Sequence, residues 1–410
     1  MISRALAALA VASLATAALA QPLQGFEAAA SVPPALPLTP FYEAPAGLDA
    51  ARPGDLLKSE PIAAPPGAKA WRVMYASRTW DDRPVAVTGW IAAPEAAAPG
   101  PRPVLSWAHG TTGVARGCAP SLAPDPARSF LPRGGAANFP VDIGGLYLDE
   151  LLARGYVVVA TDYQGQGGPG AHQYLVGETA ARGALDIARA AARLPAARAG
   201  RDVAVLGWSQ GGQAALFAGE IASAYAPDLT VRGVAALAPP AVVWHDQIDP
   251  FFRAGTPHGY SILSGYGAAY GLPLDMLTDR GRELTAAAGE GCVLELFKQI
   301  GRSTAPGVVG DVTAAPGWTE ALQRNDAGRQ ASAPPVLVVQ GTADNIVLPA
   351  GTRLYQQRAC AAGSRLEVDW IEGGDHRSIM PAARDRILAW LDARLRGEPP
   401  SENVCAAPPS

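Results

Sequence analysis

Lysine is nearly absent from the 410-residue chain: Lys58, Lys69 and Lys298 are the only three, and arginine carries the remaining positive charge. We read that imbalance as coding bias, not chemistry. The formal net charge is −4, so there is no basic footprint for nucleic acid. Histidine is scarce too, five in all, and no two share a helical face or zinc spacing. No metal is expected. The four cysteines, Cys118, Cys292, Cys360 and Cys405, include no Cys-x-x-Cys pair, which argues against a zinc or redox motif. Beyond the N-terminus no segment has about 18 unbroken apolar residues, so no stable membrane span is expected. No internal repeat is present.

What is there suits a large folded core: 49% of residues are hydrophobic and 17% charged. The first twenty residues read as a secretory signal. Arg4 stands before the apolar stretch from Ala5 to Leu19, and Ala18-Leu19-Ala20 is a small-x-small cleavage site before Gln21. Losing Arg4 with that leader takes the charge to −5. Four cysteines in an oxidising compartment imply two disulfides, with three pairings open.

Residues 21–66 are Pro- and Ala-rich without sustained periodicity and read as an extended arm laid over the surface. Trp71 to Tyr75 and Val85 to Ile91 flank a turn-rich connection and read as a hairpin. From Val104 onward, apolar strands alternate with helical stretches: Tyr156 to Thr161, the helix Glu178 to Leu194, Val203 to Leu206, and Val231 to Leu237. That rhythm predicts a largely parallel sheet with helices on both faces. It breaks over 241–333, where Phe251, Phe252, Tyr260, Tyr266 and Tyr270 precede helical stretches around Leu272 to Ala288 and Val293 to Ile300. An insertion there would sit as a helical cap, either a mobile lid or a fixed extra layer. The alternation resumes at Pro335 to Val339 and Leu366 to Ile371, and a final helix spans about Met380 to Leu395. The expected organisation is a leader (1–20), an arm (21–66), a core (67–240 and 334–395), a cap (241–333) and a tail (396–410).

Gly207-Trp208-Ser209-Gln210-Gly211 lies between an apolar strand and a helix-forming run. A strand reversing directly into a helix crowds the backbone, which is why glycine two before and two after the serine points to a nucleophile elbow. The bland alternative is a serine that only caps the helix. A serine hydroxyl needs a base, itself oriented by a carboxylate. Asp344 follows the strand ending at Val339 and His376 follows the last strand, so in a parallel sheet Ser209, Asp344 and His376 emerge along one edge. Asp375 is the alternative carboxylate. The backbone N–H groups of Thr111, in the run His109-Gly110-Thr111-Thr112-Gly113, and of Gln210 are the expected oxyanion donors, with Thr112 as runner-up. Gly165 to Gly170 contains G-x-G-x-x-G, but no helix begins directly after it and no acidic residue closes a second strand, so no dinucleotide or other cofactor is expected.

Taken together, several stretches resemble the secretory lipase family of α/β-hydrolases. They are His109 to Gly113 with Cys118-Ala119-Pro120-Ser121, Asp162 to Gly167 with His172-Gln173-Tyr174-Leu175, Leu185-Asp186 with Arg189-Ala190-Ala191, and Gly207 to Gly212. The resemblance implies an α/β-hydrolase fold with a helical cap before the Asp344 strand, and cofactor-free hydrolysis of carboxylic esters, often lipid acyl esters. It also implies disulfides pairing Cys118 with Cys292 and Cys360 with Cys405, and Asp162-Tyr163 as a structural signature. Trp208 stands where relatives often carry His or Tyr, and is expected to narrow the acyl site. The expected protein is a secreted or periplasmic serine esterase or lipase with a small-molecule ester or lipid substrate and transient lipid-interface contact. Rival readings are a serine peptidase of the same fold, for which Asp246 and Asp249 are candidate amine anchors, an acyltransferase, and a catalytically dead binding module.

Overall fold

A computed structural model of the chain describes residues 35–123, 125–126, 145–243, 256–301, 307 and 311–406. The leader and His245, Asp246, Asp249, Phe251 and Phe252 lie outside those residues. Nine strands form one sheet: β1 (Leu56–Ile62), β2 (Ala68–Arg78), β3 (Pro84–Pro94), β4 (Arg102–Ala108), β5 (Val157–Thr161), β6 (Ala199–Trp208), β7 (Thr230–Leu237), β8 (Val336–Gly341) and β9 (Leu366–Ile371). Their spatial order is β1-β2-β3-β5-β4-β6-β7-β8-β9. The first three run antiparallel to their neighbours, and every pair from β5 to β9 is parallel.

The apolar runs read as strands are continuous because both faces of the sheet are covered. The helices in chain order are α1 (Leu148–Ala153), α2 (Gly177–Ala192), α3 (Gln210–Tyr225), α4 (Pro257–Tyr270), α5 (Asp279–Glu290), α6 (Val293–Gly301), α7 (Trp318–Arg324), α8 (Pro349–Ala362), α9 (Ile379–Ala382) and α10 (Arg384–Leu395). In β6, Val203 and Val205 share a core with Leu185 of α2, Leu216 of α3 and Tyr355 of α8. The alternate residues Ala204 and Leu206 share the opposite core with Leu151 of α1, Ile379 of α9 and Leu388 of α10. Burying each such Val or Leu stabilises the fold by about 1.5–3 kcal/mol.

The structure departs from the sequence reading in three places. Residues 56–62, taken for arm, form the edge strand β1, paired with β2. An edge strand touches a partner on one side only, and it tolerates Lys58, Glu60 and the donor-less Pro61. Gly- and aromatic-rich Pro257–Tyr270 is the helix α4, begun by proline at its first position and ended at Gly271 with φ +66°. The helical stretch expected from Leu272 to Ala288 therefore starts later, at Asp279. The final helix is interrupted at Ala383.

Helices α4 to α7 lie between β7 and β8 and build their own cluster from Tyr260, Ile262, Leu263, Tyr266, Leu296 and Trp318. Val114 and Tyr174 to Val176 join it, which seats the cap on the loops at the carboxyl ends of the parallel strands. The two disulfides are Cys118–Cys292 and Cys360–Cys405, as the family resemblance implies. The first joins the loop after β4 to the start of α6. The second ties the tail to α8, and the Val404 N–H donates to Leu366 O at 2.8 Å beside it.

Candidate active site

Strand β6 ends at Trp208 and α3 begins at Gln210, so Ser209 alone makes the reversal. It does so with φ +56° and ψ −121°, a conformation that costs about 1–3 kcal/mol for a residue with a side chain. Two glycines make room. A Cβ on Gly207 would lie 2.0 Å from Gly211 O, and one on Gly211 would lie 1.8 Å from Ala108 O and 2.8 Å from His109 O. The elbow is thus in backbone contact with the loop after β4.

Ser209 Oγ is 3.0 Å from His376 Nε2, and His376 Nδ1 is 2.8 Å from Asp344 Oδ2. All three residues are buried, with 7%, 5% and 3% of their surface exposed for Ser209, His376 and Asp344. The carboxylate is oriented from behind: Oδ1 accepts the N–H groups of Ile346 and Val347, both at 2.9 Å, and Gln340 donates to Oδ2 at 3.2 Å. With Asp344 accepting at Nδ1, Nε2 is the basic nitrogen facing the hydroxyl. Asp375 is occupied elsewhere. Its Oδ1 accepts the N–H groups of Arg377 and Ser378, capping the following turn.

Trp208 is buried with the core beneath the site. Its indole N–H donates to His376 O at 2.8 Å, its ring lies 5.0 Å from the imidazole, and a Cβ on Gly110 would come within 2.5 Å of it. The ring supports the His376 loop and underlies Gly110.

Among the described residues neither the Thr111 nor the Gln210 backbone N–H has a hydrogen-bond partner. The Thr111 hydroxyl pairs with the Tyr174 hydroxyl at 2.7 Å. Thr112 is engaged on both sides: Gln166 donates to its hydroxyl at 2.8 Å, and its carbonyl accepts from the Val293 N–H at 2.9 Å. Gly113 bridges Cys292 in a short antiparallel contact, so the disulfide and these main-chain bonds fasten the cap to the loop after β4.

Three further histidines surround the site. His109 is buried and pushed down to about 4 by the loss of water, with Nδ1 against Gly110 O at 2.7 Å and Nε2 without a partner among the described residues. His172 is likewise held near 4 by burial, with Gln210 Nε2 3.0 Å from its Nε2. His258, on α4, is 5.8 Å from the Phe297 ring and is pushed down to about 4 by burial and by the nearby His376. The sequence reading gave His172 no role. A signal existed for His172, which returns beside the glycine-rich turn that the G-x-G-x-x-G pattern marks: a Cβ on Gly165 would lie 2.3 Å from His172 N.

Asp162, just past β5, is fully buried and raised to about 6 by desolvation, opposed by hydrogen bonds from Ser121 and Thr88. It ties the 88, 121 and 162 segments together and does not touch Ser209. No group of three or more His, Cys, Asp or Glu side chains able to hold a metal occurs among the described residues. None of their helices is long and apolar enough to cross a membrane.

Strand order, elbow and cap define the molecule as an α/β-hydrolase. A profile of the secretory lipase family matches residues 135–403, and the chain belongs to that family. Lipase A of Candida antarctica in its closed state superposes with a TM-score of 0.74 at 20% identity, covering 92% of this chain and 90% of that one. The rice cell wall degrading esterase LipA of Xanthomonas oryzae gives 0.66 at 17% identity, covering 83% and 99%. A protein of Mycobacterium tuberculosis described as a "probable inactive lipase" is 25% identical over 379 residues, covering 88% of this chain and 82% of its own.

Proposed function

We propose that the protein is a secreted or periplasmic serine hydrolase that cleaves carboxylic esters with apolar acyl groups. The continuous hydrogen-bonded chain Ser209–His376–Asp344 carries this reading. Ser209 attacks the ester carbonyl, His376 takes its proton and returns it to the leaving alcohol, and Asp344 holds the imidazole in the required tautomer. The N–H groups of Thr111 and Gln210, without partners among the described residues, hold the tetrahedral oxyanion. Water then repeats the sequence on the acyl-enzyme. The aromatic and aliphatic cap cluster supports an apolar acyl group, and family membership and the two disulfides support export. Cleavage after Ala20 would release the mature chain.

The inactive description of the mycobacterial relative raises the alternative of a binding module. Against it stands the complete nucleophile, base and carboxylate of this chain. The peptidase anchors Asp246 and Asp249 fall outside the described residues, and the triad alone does not favour an amide over an ester. The test is hydrolysis of nitrophenyl esters from acetyl to palmitoyl beside amino-acid anilides, with the mature chain and its Ser209→Ala variant. We expect serine-dependent ester cleavage, reduced on the order of a million-fold by the substitution. Preference for anilides, or activity that survives Ser209→Ala, would overturn the reading.

A further inference from the structure

The segment 162–176 joins β5 to α2 and lies outside the Ser209–His376–Asp344 chain. Four of its side chains nonetheless hold the two backbone stretches that carry the oxyanion donors. The Tyr163 hydroxyl donates to His109 O at 2.8 Å. The Gln166 amide donates to Thr112 Oγ1 and to Gly113 O. Tyr174 pairs with Thr111 Oγ1, and His172 with Gln210. Three of these side chains act on the loop after β4 and one on the elbow, so a single segment spans both halves of the site.

The segment is itself rigidly placed. Tyr163 and Leu175, at its two ends, adopt φ of +66° and +56°, a region that side-chain-bearing residues enter only when their surroundings impose it. Asp162 anchors the start, and Leu175 O accepts from Gln213 of α3 at 3.3 Å.

The His172 contact has a defined direction. Nδ1 is 2.6 Å from Gln164 O, a group that only accepts, so the ring proton is on Nδ1. Nε2 is then a lone pair, and the Gln210 NH2 must donate to it. The orientation of the Gln210 side chain is therefore set from outside α3, at the residue whose own N–H opens that helix.

We propose that His172 is a positioning residue for the oxyanion site, acting through Gln210, and that Tyr174 acts likewise through Thr111, so that one loop sets the separation of the two donors. This rests on the ester-hydrolase reading above. The donors meet full negative charge only in the transition state, so displacing them lowers turnover while leaving ground-state binding largely intact. A misplacement of about 1 Å can cost about 100-fold.

The experiment compares the full mature chain with His172→Ala, His172→Gln, which keeps an acceptor, Gln210→Met, which keeps the backbone N–H, the His172→Ala/Gln210→Met double variant, and Tyr174→Phe. The readouts are kcat and KM for a nitrophenyl ester, inhibition by an alkylboronic acid that forms a tetrahedral serine adduct, and labelling of Ser209 by a fluorophosphonate. For His172→Ala we expect kcat to fall about 10- to 100-fold with matching weakening of the boronic acid and KM within about twofold. His172→Gln should recover most of the loss, and the double variant should be no worse than the poorer single one. Tyr174→Phe should lower kcat in the same manner. Multiplying losses in the double variant, or a rise in KM in place of a fall in kcat, would overturn the proposal. If His172→Ala does not fold, His172→Gln and Gln210→Met decide, and an unchanged kcat in Gln210→Met defeats it. A wild-type chain that neither hydrolyses esters nor labels at Ser209 removes the ester-hydrolase reading and the positioning role with it. An active, labelled wild type with unmoved variants removes the positioning role alone.

Discussion

At the residue, the chemistry depends on a backbone that side chains would not permit. Gly211 is the sharpest case, because its missing Cβ is where Ala108 O passes. Gly211→Ala should push the elbow away from the His109–Thr111 loop, cost about 1–3 kcal/mol of stability and lower turnover at least tenfold. A fall in thermal midpoint together with kcat checks this; wild-type values for both would show that the two backbones separate freely. That Ser209, His376 and Asp344 come together could be read from type and spacing alone, since each follows an apolar strand. The hydrogen bonds behind them could not. His172 reaches Gln210 and Tyr163 reaches His109 across 38 and 54 residues, and no local pattern marks such a pair.

Among the elements, legibility followed burial. Strands β4 to β9 lie in the parallel region of the sheet, and their apolar runs announce them. The edge strand β1 carries polar residues and is specified by pairing with β2. Helix α4 has weak intrinsic preference, with glycines that serve contact: a Cβ on Gly265 would meet Tyr174 N at 2.6 Å. Gly265→Val should cost about 1–3 kcal/mol by overpacking and should lower kcat through Tyr174, read as a lowered midpoint and a slower ester turnover. Helix α3 offers a pH test. Burial raises the Glu220 carboxyl to about 7, while its Oε1 accepts the Gly328 N–H at 2.7 Å. The unfolded chain ionises near 4.5, so between about 4.5 and 7 the folded state binds more protons and its stability falls as pH rises. The contribution is at most about 3 kcal/mol. Glu220→Gln cannot ionise, so its midpoint relative to wild type should climb from pH 5 to pH 8; a flat difference would show that the carboxyl titrates alike in both states.

For the molecule as a whole, the two disulfides do different work. Cys118–Cys292 spans 174 residues and joins the loop after β4 to the cap, whereas Cys360–Cys405 spans 45 and holds the tail. Each should stabilise the fold by about 2–5 kcal/mol. Paired serine substitution at 118 and 292 should also depress kcat, because Thr112 and Gly113 lose the anchor provided by Cys292; the pair at 360 and 405 should lower the thermal midpoint and leave kcat near wild type. Equal kinetic effects would mean that the loop after β4 is held without the cap. The sequence pattern located both sulfur pairs only through family resemblance, since neither spacing nor composition chooses among three pairings.

The Ala327 N–H donates to Ala241 O at 2.7 Å, so the cap helices between these two residues enter and leave at one place, even though β7 and β8 run parallel. Such an arrangement invites exchange: a cap from a relative could be transplanted at two adjacent cuts without disturbing the sheet. Cys292 and Val293 restrict that freedom, because they reach across the graft boundary to the loop after β4. A chimaera built for a new acyl preference must therefore carry its own copy of this pin, or inherit the donor's pocket without the recipient's catalytic geometry.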